Sequence, residues 1–198
     1  ADEVFQLGVS NEFLRNSENC DEIAKIPNSI IFAGRLVKAK GVEALIKAVR
    51  FLHKEGVPHT LYIAGDGPER EYIERFAKEN SLNIILLGRL DSGEMIKWYK
   101  KTEVFVSLNP SEPFGIVFPE ALICGCKIVC PLTGGQVEYL MDYKESVSFV
   151  NENDEKSIAY GLKKMLQSGN STVSIENCKA RFNYKRVALE MIKYIGEK

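Results

Sequence analysis

The sequence S-I-I-F-A-G-R-L-V-K-A-K-G at residues 29–41 joins an apolar run to a basic loop that is bounded by glycines. The run 29–33 has the length and the β-branched composition of a buried strand, and Gly34 ends it. From 42 to 52 the apolar residues recur at helical spacing until the turn at 56–58. The stretch therefore predicts a strand, a loop and a helix in that order.

The same alternation of short apolar runs and helical patterns continues along the chain. The predicted strands cover 29–33, 60–64, 83–87, 104–107, 127–130 and 147–150. After the second strand, a charged helix is predicted that carries Tyr72, Ile73 and Phe76 on its buried face. The helices that follow the later strands are predicted at 95–100, 119–124, 136–141 and 155–167. Strands that alternate with helices require parallel pairing and right-handed crossovers. The predicted fold class is α/β, a doubly wound, Rossmann-like parallel sheet.

The flanks of this pattern suggest how the chain is organised. Residues 1–28 are predicted to be an irregular amino-terminal segment, 29–176 the ligand-binding domain, and 177–198 a carboxyl-terminal helix. One face of that helix carries Val187, Met191, Ile192 and Ile195. The chain begins at Ala1 without an initiator methionine, so we expect a fragment of a longer protein.

Composition narrows the classes of partner. The chain has 198 residues, 45% hydrophobic and 27% charged, which suits one globular domain. Its 26 Lys and Arg residues balance 27 Asp and Glu residues, so nucleic acid is not an expected partner. Five cysteines, an odd number without a C-x-x-C pair, predict reduced core thiols in a cytoplasmic protein rather than zinc ligands.

Two loops at predicted strand ends could carry chemistry. The loop 34–41 brings three cations and two glycines to the start of a helix, which suits a phosphate group but also fits a solvated basic turn. In the loop 109–122, Glu112 and Glu120 stand eight residues apart. They could form an acid/base dyad, bind different hydroxyls of one elongated ligand with backbone N–H groups between them, or be a solvated carboxylate and a helix-dipole partner.

Other candidate features favour simpler interpretations. The glycine turns at 65–68 and 133–135 are most often only turns. His53 and His59, the only histidines, fall at the opposite end of the predicted sheet from these loops, so no triad base is visible. The sequence contains no Asp-x-Asp pair and no cluster of histidines with carboxylates, so no metal site is predicted.

Taken together, the loops resemble the carboxyl-terminal, donor-binding half of the retaining glycosyltransferases of family 4, in which two Rossmann-like domains form the GT-B arrangement. The motifs are G-R-L-V-K-A-K-G at 34–41, A-G-D-G-P-E-R at 64–70, S-E-P-F-G-I-V-F-P-E-A-L-I-C-G at 111–125 and G-G-Q-V-E at 134–138. The likeness covers residues 28–195, and residues 7–14 resemble the stretch where the chain enters this domain. The sequence departs from the family pattern in two places. Pro113 stands where the family most often has glycine, and the second departure is Cys126-Lys127.

The resemblance implies roles for particular residues. Arg35 and Lys40 would hold the donor diphosphate, and Glu112 would contact the donor sugar as the third residue of the catalytic set. Glu120 would bind the ribose hydroxyls. Substrate binding is assigned to Gly34, Arg89, Leu90, Phe114, Gly115, Ile116, Val117 and Glu120.

The resemblance also implies partners. The ligand would be a nucleotide-diphosphate sugar, bound without a metal or other cofactor. An amino-terminal acceptor-binding domain of the same full-length protein would complete the enzyme, the tail at 180–188 would pack across the domain junction, and this chain alone would be inactive. The full-length protein could also associate peripherally with a membrane. The competing hypotheses are a non-catalytic nucleotide-diphosphate-binding or docking module, and another α/β enzyme such as a sugar-nucleotide epimerase.

Overall fold

A computed structural model describes residues 8–20 and 23–196, and its centre is one parallel sheet. The strands are β1 (Ser29–Ala33), β2 (Thr60–Ala64), β3 (Ile84–Gly88), β4 (Val104–Val106), β5 (Lys127–Pro131) and β6 (Val147–Val150). They lie in the order β3-β2-β1-β4-β5-β6, and every neighbouring pair is parallel. This order is that of a doubly wound sheet, so the predicted fold class is confirmed.

Helices cover both faces of the sheet. They are α1 (Asn11–Asn19), α2 (Val42–Lys54), α3 (Arg70–Glu79), α4 (Ser92–Lys101), α5 (Val117–Ile123), α6 (Gln136–Leu140), α7 (Glu155–Gln167), α8 (Ile175–Arg181) and α9 (Tyr184–Gly196). Helix α4 starts three residues before its predicted bound because Asp91 and Glu94 form a capping box. None of the described helices is both long enough and apolar enough to cross a bilayer.

The strands alternate their side chains between two apolar clusters. In β1, Ile30 and Phe32 face the cluster that includes α2 and α7, whereas Ile31 faces the cluster that includes α4 and α5. All three side chains are almost completely buried. Burial on both faces is typical of a parallel sheet and explains why residues 30–33 of β1 are a continuous apolar run.

The prediction that residues 1–28 are irregular is wrong for residues 11–19, which form α1. Ser10 caps this helix by accepting a hydrogen bond of 3.1 Å from the Phe13 N–H. Phe13 and Leu14 are buried against the face of the sheet that α4 and α5 cover. Such a short helix carries too few apolar residues for a periodic signal, so its packing and not its pattern determines it. Leu7, the first residue of the stretch 7–14 that resembles the family, lies outside the described residues.

The carboxyl-terminal part is two helices rather than the single one predicted from 177. The chain breaks between α8 and α9 where Val9 pairs with Asn183: the Val9 N–H donates to the Phe182 carbonyl at 2.6 Å, and the Tyr184 N–H donates to the Val9 carbonyl at 3.2 Å. Val187 is buried as predicted, but Ile192 is 66% exposed. The side chains of Met191 and Ile195, predicted on the same face, lie outside the described part of the chain.

The turns after β1 and β2 interlock at the carboxyl edge of the sheet. The Leu36 N–H donates to the Asp66 carbonyl, and the Glu69 N–H donates to the Leu36 carbonyl, both at 3.0 Å. Gly65 has φ +143°, and a Cβ at this position would overlap the Gly34 carbonyl oxygen. The glycine turn at 65–68 is therefore a close backbone approach as well as a turn.

We predict that Gly65→Ala destabilises the chain by at least about 2 kcal/mol, because the new methyl group must displace the Gly34 carbonyl and so separate the two turns. Gly169→Ala is the matched control, since a Cβ at Gly169 meets nothing within 4 Å. It should change the free energy of unfolding by less than about 1 kcal/mol. Urea unfolding of both variants measures the difference, and equal stabilities would contradict the close-approach interpretation.

Candidate functional site

The candidate site lies at the carboxyl edge of the sheet, where the strand order changes direction. Strands β2 and β3 follow on one side of β1, whereas β4, β5 and β6 lie on the other. Doubly wound sheets bind ligands in the crevice at this point because the crossovers leave in opposite directions. Two cavities open there, and Ala33 and Gly34 at the end of β1 line both.

The first cavity, here called the β1–β3 cavity, has a volume of about 690 Å³. It is lined by Ala33, Gly34, Arg35, Ala64, Gly65, Asp66, Gly67, Pro68, Arg89, Leu90 and Met95. The predicted residues Gly34, Arg35, Arg89 and Leu90 are brought together here. The sequence predicts only a turn at Asp66 and Pro68, although their position directly after a predicted strand is itself a signal for a ligand-binding role.

The second cavity, here called the β1–β4 cavity, has a volume of about 410 Å³. It is lined by Ala33, Gly34, Lys40, Ser107, Glu112, Pro113, Phe114, Gly115, Ile116 and Val117. Seven of these ten residues are site residues predicted from the sequence. Ser107 is predicted as the last residue of a strand, and the structure places it just after β4 at the cavity wall.

The three cations at the two cavities differ in what they contact. Arg35 is exposed and forms no side-chain hydrogen bond or ion pair with residues 8–20 or 23–196. Arg89 is 86% exposed, and its Nε lies 3.9 Å from Asp66 Oδ2. Lys40 ends a 3-10 turn before α2 and pairs with Glu112. A free guanidinium and a paired ammonium therefore flank Gly34, which suits an anion with several oxygens.

Glu112 is held through one of its two carboxylate oxygens. Its Oε2 accepts a hydrogen bond of 2.8 Å from Asn109 Nδ2 and lies 3.4 Å from Lys40 Nζ. The Glu112 side chain is 20% exposed, and its Oε1 has no hydrogen-bond partner within the part of the chain that the structure describes. The acid/base dyad with Glu120 remains a hypothesis, as do the other interpretations of this pair.

The loop that carries Glu112 is held in place from beneath. Gly115 has φ +75°, which favours glycine, and it turns the chain into α5. The Tyr139 hydroxyl donates to the carbonyls of Phe114 at 2.8 Å and Gly115 at 3.2 Å. The Gly135 N–H donates to the Glu112 carbonyl at 2.9 Å. The glycine turn at 133–135 therefore supports the loop. The sequence alone did not predict this role for Tyr139.

Glu120 lies in the first turn of α5 and outside the lining of both cavities. Its carboxylate forms no hydrogen bond or ion pair with any described residue, and burial raises its pKa to about 7. This carboxylate is thus available to a partner, and its ionisation costs free energy while it has none.

We predict that Glu120→Gln stabilises the chain at pH 8 but much less at pH 5. The folded-state pKa of Glu120 is about 7 and its ordinary value is 4.5, so the folded state holds this proton more tightly. Stability is then lost as the pH rises from 4.5 through 7, and the neutral amide avoids that loss. The gain should be about 2 kcal/mol larger at pH 8 than at pH 5.

The control for this variant is Glu71→Gln, which changes an exposed carboxylate in the first turn of α3. It should alter the free energy of unfolding by less than about 0.5 kcal/mol at both pH values. Urea unfolding at the two pH values supplies the measurement. A Glu120→Gln effect that does not depend on pH would show that the carboxylate is not an unpaired buried charge.

Comparisons with known proteins bear on this geometry. Residues 16–181 match the family described as Glycosyl transferases group 1. An uncharacterized glycosyltransferase of Methanocaldococcus jannaschii is 30% identical over 196 residues, which are 95% of this chain and 50% of that protein. A 4-alpha-N-acetylgalactosaminyltransferase of Campylobacter jejuni, which acts on a diphospho-undecaprenol-linked saccharide by its name, is 29% identical over 88% of this chain and 48% of its own length.

Among solved structures, the pneumococcal O-GlcNAc transferase GtfA in complex with UDP and GlcNAc superposes with a TM-score of 0.69 at 22% identity. The match covers 98% of this chain and 38% of that one, and it supports the GT-B type of Rossmann-like fold. The chain spans about half the length of the full-length relatives described above. The sequence match and the fold together show that the chain belongs to the Glycosyl transferases group 1 family.

Proposed function

We propose that this chain is the donor-binding half of a retaining, family 4 type hexosyltransferase. The observation that carries the proposal is the meeting of the two cavities at Gly34, with Arg35 on one side and the Lys40–Glu112 pair on the other. A nucleotide-diphosphate sugar has a diphosphate between two larger groups. Its shape therefore suits a cationic centre between two cavities.

Arg35 and Lys40 are proposed to bind the diphosphate. The Arg35 guanidinium can form two parallel hydrogen bonds to phosphate oxygens, and Lys40 supplies a point charge. When the bond between the anomeric carbon and the diphosphate breaks, the electron pair stays on the diphosphate oxygen and its negative charge increases. Cations fixed at that oxygen stabilise the transition state more than the bound donor, which is how they would accelerate transfer.

The remaining roles fall to residues of the two cavities and to Glu120, which lines neither of them. In the β1–β3 cavity, Arg89 and Leu90 are proposed to lie beside the base. In the β1–β4 cavity, Glu112 is proposed to accept hydrogen bonds from sugar hydroxyls, and the backbone from Phe114 to Val117 to line the sugar and phosphates. Glu120 is proposed to bind the ribose hydroxyls, a role that its unpaired carboxylate supports.

The comparisons support a uridine nucleotide as a first candidate, because the pneumococcal O-GlcNAc transferase was solved in complex with UDP.

We propose that binding needs no metal ion. Among residues 8–20 and 23–196 the structure gathers no three His, Cys, Asp or Glu side chains that could hold one. The direct test is nucleotide binding before and after EDTA treatment, with equal affinity expected.

The acceptor is proposed to bind to a second, amino-terminal domain of the same cytoplasmic protein. The relatives are about twice as long as this chain, which leaves room for such a domain. Helix α9 exposes Tyr184, Leu189 and Ile192, a face that a domain packed across the junction would cover. On this proposal the isolated chain binds donor but transfers no sugar.

The test of the proposed function is a calorimetric binding panel of UDP, GDP, ADP and CDP with their glucose conjugates. One base should bind more tightly than the others. Binding of the diphosphates without preference for any sugar conjugate would favour a non-catalytic nucleotide-binding module. Slow conversion of a nucleotide sugar without acceptor would favour an epimerase. Failure of all eight compounds to bind would count against the donor-site assignment.

We predict that Arg35→Ala weakens binding of the preferred diphosphate by roughly 10- to 100-fold, because each hydrogen bond from a charged group contributes about 1.5–3 kcal/mol. Lys38→Ala is the matched control. Lys38 is exposed, belongs to the same loop and lines neither cavity. It should weaken binding by less than about threefold through its more distant charge. Equal losses in the two variants would contradict the roles assigned to the loop.

A further inference from the structure

The contacts of Glu112 divide its two oxygens unequally. Both Asn109 and Lys40 engage Oε2, at 2.8 Å and 3.4 Å, whereas Oε1 has no partner among the described residues. The shorter contact comes from the neutral amide. Asn109 therefore restrains the carboxylate more closely than the ammonium does, and it does so without adding charge beside the β1–β4 cavity.

Asn109 is itself held by the loop. It directly follows Leu108, which is 1% exposed, and Ser107, whose N–H donates to the Val129 carbonyl at 3.1 Å. Its own Oδ1 accepts a hydrogen bond of 3.3 Å from the Ser111 N–H. This contact orients the amide so that Nδ2 faces Glu112. The amide thus connects the end of β4 to the carboxylate of Glu112, three residues later in the chain.

Lys40 cannot fill the same role once an anion is present. On the proposed function it lies beside a diphosphate, whose charge competes with Glu112 for the ammonium group. The asparagine amide carries no charge and gains little from moving to the diphosphate. Its contact with Oε2 therefore persists when the Lys40 contact weakens.

We propose that Asn109 is a positioning residue that fixes Glu112 so that Oε1 accepts a hydroxyl of the donor sugar. The proposal rests on the proposed function. It assigns to Asn109 the preference for a sugar-bearing nucleotide over the bare nucleoside diphosphate. This residue contacts Glu112 and not the diphosphate-binding cations, so its effect should be confined to the sugar end of the donor.

The test compares binding of the preferred diphosphate and of its glucose conjugate to the 198-residue chain and to Asn109→Ala. The ratio of the two affinities is the readout. Asn109→Ala should weaken the glucose conjugate by about tenfold and the bare diphosphate by less than about twofold, because the lost hydrogen bond involves a charged group at the sugar end. A loss of fold would lower both affinities together and leave the ratio unchanged.

The matched control is Asn153→Ala. Asn153 Nδ2 donates to Glu152 Oε1 at 3.1 Å, the same type of contact, in an exposed loop whose residues line neither cavity. It should leave both affinities unchanged. A second variant, Asn109→Asp, keeps the shape and the acceptor for Ser111 but replaces the donor with a like charge. It should lower the ratio at least as much as Asn109→Ala.

The outcomes separate the two proposals. If the wild-type chain binds the diphosphate and its conjugate, and Asn109→Ala keeps the wild-type affinity for the diphosphate and leaves the ratio unchanged, the positioning role is wrong and the proposed function stands. If the wild-type chain binds none of the nucleotides, the proposed function fails and the role of Asn109 fails with it. A selective loss for the conjugate in both Asn109 variants, absent in Asn153→Ala, supports the positioning role.

Discussion

The close approach of the chain at Gly65 to the carbonyl of Gly34 is the constraint on which the candidate site depends. It locks the turn after β2 onto the turn after β1, and Leu36 and Glu69 complete the contact through backbone hydrogen bonds. Because Gly34 lines both cavities, the same contact fixes the wall between them. A side chain at this point would separate the turns and change both cavities together.

The opposite side of the site is organised by a different kind of support. The loop after β4 has little regular structure, and its shape comes from the Tyr139 hydroxyl, the Gly135 N–H and the glycine conformation at Gly115. The contacts of Tyr139 and Gly135 come from a segment that is distant in sequence. The loop therefore gains order from tertiary contacts, which makes it suitable for holding Glu112 at a defined position.

The fold could be predicted from the sequence because its signals are local. Apolar runs, helical spacing and glycines define 29–33 and 155–167 to the residue. Helix α1 and the break at Phe182 could not be predicted, since each depends on packing between segments far apart in the chain. In the site, loop position predicted a cationic loop after β1, and the family resemblance singled out Arg35 and Lys40, which line the two cavities. The contact of Asn109 with Glu112 depends on side-chain geometry that spacing does not determine.

The two cations beside Gly34 are prepared for an anion in different ways. Arg35 is exposed and unpaired within the described chain, so its charge acts on an approaching ligand at no cost in lost contacts. Lys40 already has Glu112 at 3.4 Å, so a diphosphate must share or replace that contact. On the proposed function, Arg35 dominates the first encounter, and the contact between Lys40 and Glu112 is exchanged afterwards. A ligand that also satisfies the Glu112 carboxylate compensates for the exchanged ion pair. A sugar hydroxyl next to the diphosphate meets that condition, and a bare anion does not.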